Sequence, residues 1–206
     1  MEAKEETVEQ KDHSVALRAL LRDRIRRSIE LKEALLNDDS FHGLVTQVAM
    51  RIVKSLGLGG KVFFFGNGGS AANAQHLAAE FTGRFLKERR ALPALALSVN
   101  SSSLTAIGND YGFDLVFARQ LEALGKEGDV AVGLSTSGNS PNVIRALEAA
   151  KSKSIFSVAL TGKSGGKLKN TADCTICIPS EETPRIQECH ILTGHLICEM
   201  VEEVLF

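Results

Sequence analysis

Lys61-Val-Phe-Phe-Phe-Gly66-Asn67-Gly68-Gly69-Ser70-Ala-Ala-Asn-Ala-Gln-His76-Leu-Ala-Ala-Glu80-Phe-Thr-Gly-Arg84 runs from an apolar segment through a glycine turn into an alanine-rich stretch. Val62 to Phe65 has the pattern of a fully buried strand. Gly66 to Ser70 is a tight turn, and the alanines beyond it have strong helix propensity. A strand that turns through glycines into a helix N-terminus makes an anion site, because free backbone N–H groups and the helix dipole face the ligand. Further along the same helix, His76 and Glu80 stand four residues apart and so share a face. An anion cradle followed by a titratable pair points to chemistry on a phosphorylated substrate.

Both features have plainer readings. Glycines after a strand often just permit a turn. A His/Glu pair at this spacing is often a surface contact worth roughly 0.2–0.5 kcal/mol. However, Ala71, Ala72, Leu77, Ala78, Ala79 and Phe81 surround the pair, which describes a helix buried over much of its surface. Polar groups in such a helix must find partners or line a cavity. The turn matches neither GxxxxGK[ST] nor GxGxxG, so neither a P-loop nor a dinucleotide site is indicated.

Outward from this stretch the pattern alternates. Strand-like runs are expected at Val62–Phe65, Ala94–Ser98, Val130–Leu134, Ser154–Leu160 and Thr175–Ile178. Helices are expected near Ala71–Phe85, Ser102–Asn109, Leu115–Leu124 and Asn142–Ser152, with a last one from about Arg185 to Val204. This order predicts an α/β domain with a parallel sheet covered on both faces. Two helices lead into it. Ala16 to Leu36 carries Leu17, Leu20, Leu21, Ile25, Ile29, Leu31 and Leu35 at helical spacing, and Phe41 to Leu58 follows a cap at Asp39-Ser40 and ends at Gly59-Gly60. Their broad apolar faces suit an oligomer interface. Residues 1–11 are charged and are expected to be a flexible leader, with 12–206 forming a single domain.

The chain has 206 residues and a formal net charge of −1. Bulk electrostatics therefore favour neither nucleic acid nor an anionic membrane. No apolar run reaches the length of a membrane span and no signal-peptide core is visible, so a cytoplasmic location is expected. Cys174 and Cys177 have zinc-like spacing but no second pair, and residues three apart in a strand face opposite ways. They read as core thiols.

A second loop, Leu134-Ser135-Thr136-Ser137-Gly138-Asn139-Ser140-Pro141, also follows a strand and opens a helix. Ser140 suits the N-cap and Pro141 the first helical position. Read alone, it is equally a capping loop with spare serines. Paired with the Gly66–Ser70 turn, it reads as a phosphate site, since ligands of open parallel sheets sit outside the carboxyl ends of the strands. In the last helix, Gln187, Ile191 and His195 fall near one face, while His190 turns away and reads as structural.

These two loops, the His76/Glu80 helix, Gly108-Asn-Asp110, and Arg185-Ile-Gln187 with His195 together resemble the sugar isomerase (SIS) domain family. More narrowly they resemble its phosphoheptose isomerase branch. The likeness runs from about residue 12 to the C-terminus. It implies a five-stranded parallel sheet sandwiched by helices, in a homotetramer with active sites at subunit interfaces. It also implies conversion of D-sedoheptulose 7-phosphate to D-glycero-D-manno-heptose 7-phosphate through an enediol. That is the first step of ADP/GDP-heptose synthesis for the lipopolysaccharide core of a Gram-negative bacterium. Residues matching the family's substrate contacts are Asn67, Gly68, Gly69, Ser70, Glu80, Arg84, Asn109, Asp110, Ser135, Thr136, Ser137, Ser140 and Gln187. Those matching its zinc ligands, one ion per subunit, are His76, Glu80, Gln187 and His195, and Glu80 and His195 are the implied catalytic pair. Gln187 and His195 are eight residues apart, ~12 Å along a regular helix. Either Gln187 precedes the regular helix, or neighbouring subunits contribute. Some members carry an acidic residue where this chain has Pro184. Two rivals stand beside this expectation: a non-catalytic SIS protein that regulates a DNA replication initiator, and a SIS isomerase for another sugar phosphate. The first lacks the full His76, Glu80 and His195 set.

Overall fold

The structure, a computed structural model, describes residues 8–206, with side chains from residue 13 onward. Of the expected leader, residues 1–7 lie outside the described residues, and Val8 to Lys11 are helical. The chain divides into two compact units, Met1–Asn37 and Asp38–Phe206. The first contains helix α1 (Val8–Leu36), along which Leu17, Leu20, Leu21, Ile25 and Ile29 are all exposed.

The second unit is a five-stranded sheet between helices. It contains α2 (Asp39–Gly57), β1 (Val62–Gly66), α3 (Gly69–Thr82), β2 (Ala94–Ala96) and α4 (Ser101–Tyr111). Next come α5 (Ala118–Leu124), β3 (Val130–Ser135), α6 (Pro141–Ser152), β4 (Phe156–Gly162), β5 (Cys174–Ile178) and α7 (Thr183–Leu205). The strand order is β2-β1-β3-β4-β5, and every pairing is parallel. The strands read as apolar runs because helices cover both faces. Phe63, Phe65, Ala131 and Ala159 point into one core with Phe117 and Leu121 of the α5 region and Val143 and Leu147 of α6. The alternate residue Phe64 meets Phe81 of α3, on the face where α2, α3 and α7 pack together.

Local details shift the expected boundaries by a few residues. The cap of α2 is Asp38, whose carboxylate accepts from the N–H of Ser40 and Phe41 at 2.9 and 3.1 Å, one residue before the expected cap. The helix expected over Leu115–Leu124 is a 3-10 turn at Phe113–Leu115 followed by α5. Cys174 is buried in β5 and Cys177 is partly exposed, as the strand reading requires, and no disulfide forms among the described residues. Burial pushes the Cys174 thiol up to about 11, with Asp173 adding to the effect.

At the amino edge of the sheet, Asp129 is fully buried. It accepts from the N–H groups of Lys61 and Lys126 and from the Lys61 ammonium, all at 2.8–2.9 Å. Removing the carboxylate leaves those donors short of an acceptor. Asp129→Ala is expected to lower stability by about 2 kcal/mol. A fall in the urea midpoint at unchanged m would show it.

Candidate active site

The connections leaving the neighbouring strands β1 and β3 diverge, since β1 leads to β2 on one side and β3 leads to β4 on the other. This switch point opens a crevice at the carboxyl edge. Both glycine- and serine-rich loops leave the sheet there. Gly66 hands the chain to Asn67-Gly68 and α3, and Ser135 hands it to the serine loop and α6. The two loops are braced across the crevice by a reciprocal amide pair. The amide of Asn67 donates to Asn142 at 2.9 Å, and the amide of Asn142 donates back at 2.8 Å. Asn142 is buried in the first turn of α6 and was not singled out by motif.

No side chain caps either helix. Gly68 precedes α3 with a φ of 53° and no side chain, and the Ser140 hydroxyl pairs instead with Ser135 at 2.8 Å. The N–H groups of Ser70 and Ala71 bond the Asn67 carbonyl at 2.9 and 3.3 Å, and that of Val143 bonds the Ser140 carbonyl at 3.1 Å. With no side-chain cap on either helix, both positive dipole ends stay available to an anion. Ser137 stands 3.5 Å from Ser135, so the hydroxyls form one cluster. Gly138 makes this packing possible. Its φ is 65°, and a Cβ there would fall 2.0 Å from the carbonyl oxygen of Gly165.

Gln187 does not precede the regular helix. It lies in the second turn of α7, and its carboxamide is where a Cβ on Gly69 would meet it, at 2.6–2.9 Å. A side chain at position 69 would displace the Gln187 carboxamide, so glycine keeps the turn backbone and Gln187 in contact. The Gln187 carbonyl also accepts from the Asn73 amide at 3.1 Å, tying α7 to α3.

Further along these helices, His76, Glu80 and His195 converge. The Nε2 atoms of the two histidines are 3.0 Å apart, and His76 Nε2 is 2.9 Å from Glu80 Oε1. One ligand atom from each residue lies within 4.8 Å of the others. Two imidazole nitrogens at that separation must share a proton or point lone pairs at one cation, and two imidazoles with a carboxylate are a zinc-type donor set. Burial lowers the pKa of His195, nearby His76 lowers it further, and Glu80 partly offsets both. The ring of Phe85 also lies against His195, with centroids 5.3 Å apart.

The remaining candidates are not gathered in. Asn109 and Asp110 are exposed in the last turn of α4, where their side chains bond each other at 2.8 Å. Arg84 is exposed beyond α3, 3.8 Å from Glu88. A cavity of about 650 Å³, lined by Arg51, Lys54, Asp129, Lys151 and Asp173 among others, lies at the opposite edge of the sheet and contains none of the candidate residues.

His190 is structural, as read from its position. It is fully buried, and its Nε2 bonds the Thr161 carbonyl at 3.0 Å. Burial lowers its pKa to about 4, against a smaller raising effect of the Thr161 bond. The unfolded chain therefore binds a proton that the folded one refuses. This contribution to stability is complete above pH 6.5 and is lost as pH falls towards about 4. Denaturant melts at pH 7, 5.5 and 4.5 are expected to show the decline, and His190→Asn is expected to flatten it.

The SIS domain model matches residues 32–162, which is well over half of the chain. The phosphoheptose isomerase of Aneurinibacillus thermoaerophilus is 52% identical, over 90% of this chain and 94% of that protein. The structure of phosphoheptose isomerase from Neisseria gonorrhoeae superposes with a TM-score of 0.85 at 43% identity, covering 91% of this chain and 99% of that one. One from Francisella tularensis gives 0.86 at 37% identity, covering 90% and 97%. With loops, crevice and near-full-length likeness in agreement, the chain belongs to the phosphoheptose isomerase family of SIS-domain proteins.

Proposed function

We propose that this chain isomerises D-sedoheptulose 7-phosphate to D-glycero-D-manno-heptose 7-phosphate, opening a route to nucleotide-activated heptose. The observation that carries the reading is one helix, α3, with an anion cradle at its N-terminus and the His76/Glu80/His195 group further along. Gly69 and His76 are seven residues apart, ~10 Å of helix, a span suited to an extended seven-carbon chain. The phosphate is bound by the Gly68–Ser70 backbone and the hydroxyls of Ser135, Thr136, Ser137 and Ser140. Asn67 braces this cradle. The carbonyl end then lies at Glu80 and His195.

Aldose–ketose isomerisation moves a proton between adjacent carbons through a cis-enediol. Glu80 takes the proton from carbon, and His195 passes one to or from oxygen. An imidazole suits this role, since one ring nitrogen can donate while the other accepts. His76, Glu80 and His195 would hold a zinc ion. Gln187 stands beside Gly69 at the phosphate end, about two turns of α7 from His195, so a Gln187 ligand would come from a neighbouring subunit. Zinc, when bound, polarises the sugar carbonyl as a Lewis acid.

The assembly we propose is a cytoplasmic homotetramer with sites at subunit boundaries. The exposed stripe of α1 supports an interface. Asn109, Asp110 and Arg84, exposed in the single chain, are the residues left to complete a site across such a boundary. Lipopolysaccharide core is the proposed destination of the heptose.

The test is incubation of pure protein with sedoheptulose 7-phosphate, followed by NMR of the aldose product, with chelator and with added zinc. Product lost on chelation and restored by zinc supports both the reaction and the metal. No product from folded protein under either condition moves the assignment to the regulatory or alternative-substrate reading.

A further inference from the structure

The segment that follows α3 is nailed to the end of α7 by one buried carboxylate. The side chain of Glu202 is 2% exposed. Its Oε1 accepts from the N–H of Phe85 at 2.8 Å, and its Oε2 from the N–H groups of Leu86 and Lys87 at 2.8 and 2.9 Å. Arg89, equally buried, donates Nε to Oε1 at 2.7 Å. The rest of the guanidinium is spent on carbonyls at the end of α3 and on that of Arg90. Nη1 reaches Phe81, Gly83 and Arg90 at 3.0–3.1 Å, and Nη2 reaches the carbonyl of Glu80 at 2.8 Å. A cation on the last carbonyls of a helix both satisfies them and complements the dipole.

This cluster touches the candidate site at two points. It holds the backbone of Glu80 directly. It also fixes the backbone of Phe85, whose ring lies 5.3 Å from the imidazole of His195 at 34°. His195 and Glu202 are seven residues apart, two turns of α7, so one stripe of that helix carries both the imidazole and the anchor of the ring against it. His76 also contacts the imidazole, with ring centroids 5.1 Å apart. An imidazole has two torsions to lose, and packed neighbours that remove them aim Nε2 at His76 and Glu80.

We propose that Phe85 is a positioning residue for His195, and that the Glu202–Arg89 pair holds Phe85 in place. Outer-shell groups that hydrogen-bond a metal-ligating histidine usually carry about 10–100-fold in metal affinity or activity, and a ring packed on the same imidazole is expected at the low end of that range. The activity part of this inference rests on the isomerase reading above, and the metal-binding part does not.

The test uses Phe85→Leu, Phe85→Tyr and Glu202→Gln in the full chain, with three readouts: Zn2+ affinity by competition with a chromophoric chelator, kcat and KM for sedoheptulose 7-phosphate at saturating zinc, and melting temperature. Phe85→Leu is expected to weaken Zn2+ binding about tenfold. It should lower kcat with KM little changed and leave the melting temperature nearly where it was. Phe85→Tyr, which keeps the ring, is expected to recover both metal affinity and kcat. Glu202→Gln is expected to repeat the loss when measured well below its melting temperature. Wild-type metal affinity and kcat in Phe85→Leu overturn the proposal. So does a loss that merely follows the unfolded fraction, and so does a wild-type chain that binds no Zn2+. A wild type that binds Zn2+ but leaves the heptulose unchanged sinks the isomerase reading alone, because the metal titration still decides the proposal.

Discussion

Replacing Glu80 by glutamine is expected to lower kcat for sedoheptulose 7-phosphate by on the order of 10²–10⁴-fold while the substrate still binds. The amide has the shape of the carboxylate and keeps an oxygen to face His76, now 2.9 Å from Oε1. It cannot take a proton from carbon. In the proposed reading substrate affinity is set mainly at the start of α3, so KM is expected to move little. Glu80 is also a candidate metal ligand, so zinc content must be measured in the same sample. A variant that keeps zinc and loses kcat identifies the missing base. A variant that loses both leaves the ligand role dominant. Near-normal kcat would remove Glu80 from the chemistry.

Removal of the Glu202 carboxylate is expected to have the largest effect on stability, about 3–5 kcal/mol for Glu202→Ala. The variant leaves the Arg89 guanidinium buried without its counter-charge and three consecutive N–H groups without an acceptor. Burial alone would raise the Glu202 pKa. The N–H donors of Lys87, Phe85 and Leu86 and the Arg89 guanidinium outweigh it and hold the carboxyl at about 2, against an ordinary 4.5. A depressed carboxyl stabilises the fold fully above its unfolded pKa. That contribution is lost as pH falls from 4.5 towards about 2, a window that lies mostly below that of His190. Urea melts of wild type and Glu202→Ala at pH 7 and pH 3 test this. The gap between them is expected to shrink at pH 3, and an equal gap at both would contradict the assignment. Glu202→Ala combined with Arg89→Met is expected to recover part of the loss, since no unpaired charge remains.

Much of this molecule is legible in its order of residues. The apolar run at Val62, the glycines after it and the alanines beyond are local signals, and each element they predict is present within a few residues. The same holds for the serine loop and for His190, whose lone position on the apolar side of α7 marks it as core. Boundaries moved where a neighbouring side chain won a local contest, as when Asp38 rather than Asp39 capped α2.

Contacts between distant elements were not legible. The Asn67–Asn142 pair joins residues 75 apart, and Glu202 meets Phe85 across 117. An acidic residue beside Cys198 and Val201 on an apolar helix face was a signal that a partner existed, but no periodicity names Arg89 as that partner. Glu80 and His76 are paired by helix geometry alone, since four residues is one turn. His195 is brought to them, 119 residues on from His76, only because α7 packs against α3. The sequence by itself determined the elements, the parallel sheet and the types of group available, because propensity and period are local properties of a chain. The tertiary structure alone decided which groups meet, because the closeness of two side chains depends on how the helices dock on the sheet, and that is set by the packing of the whole core.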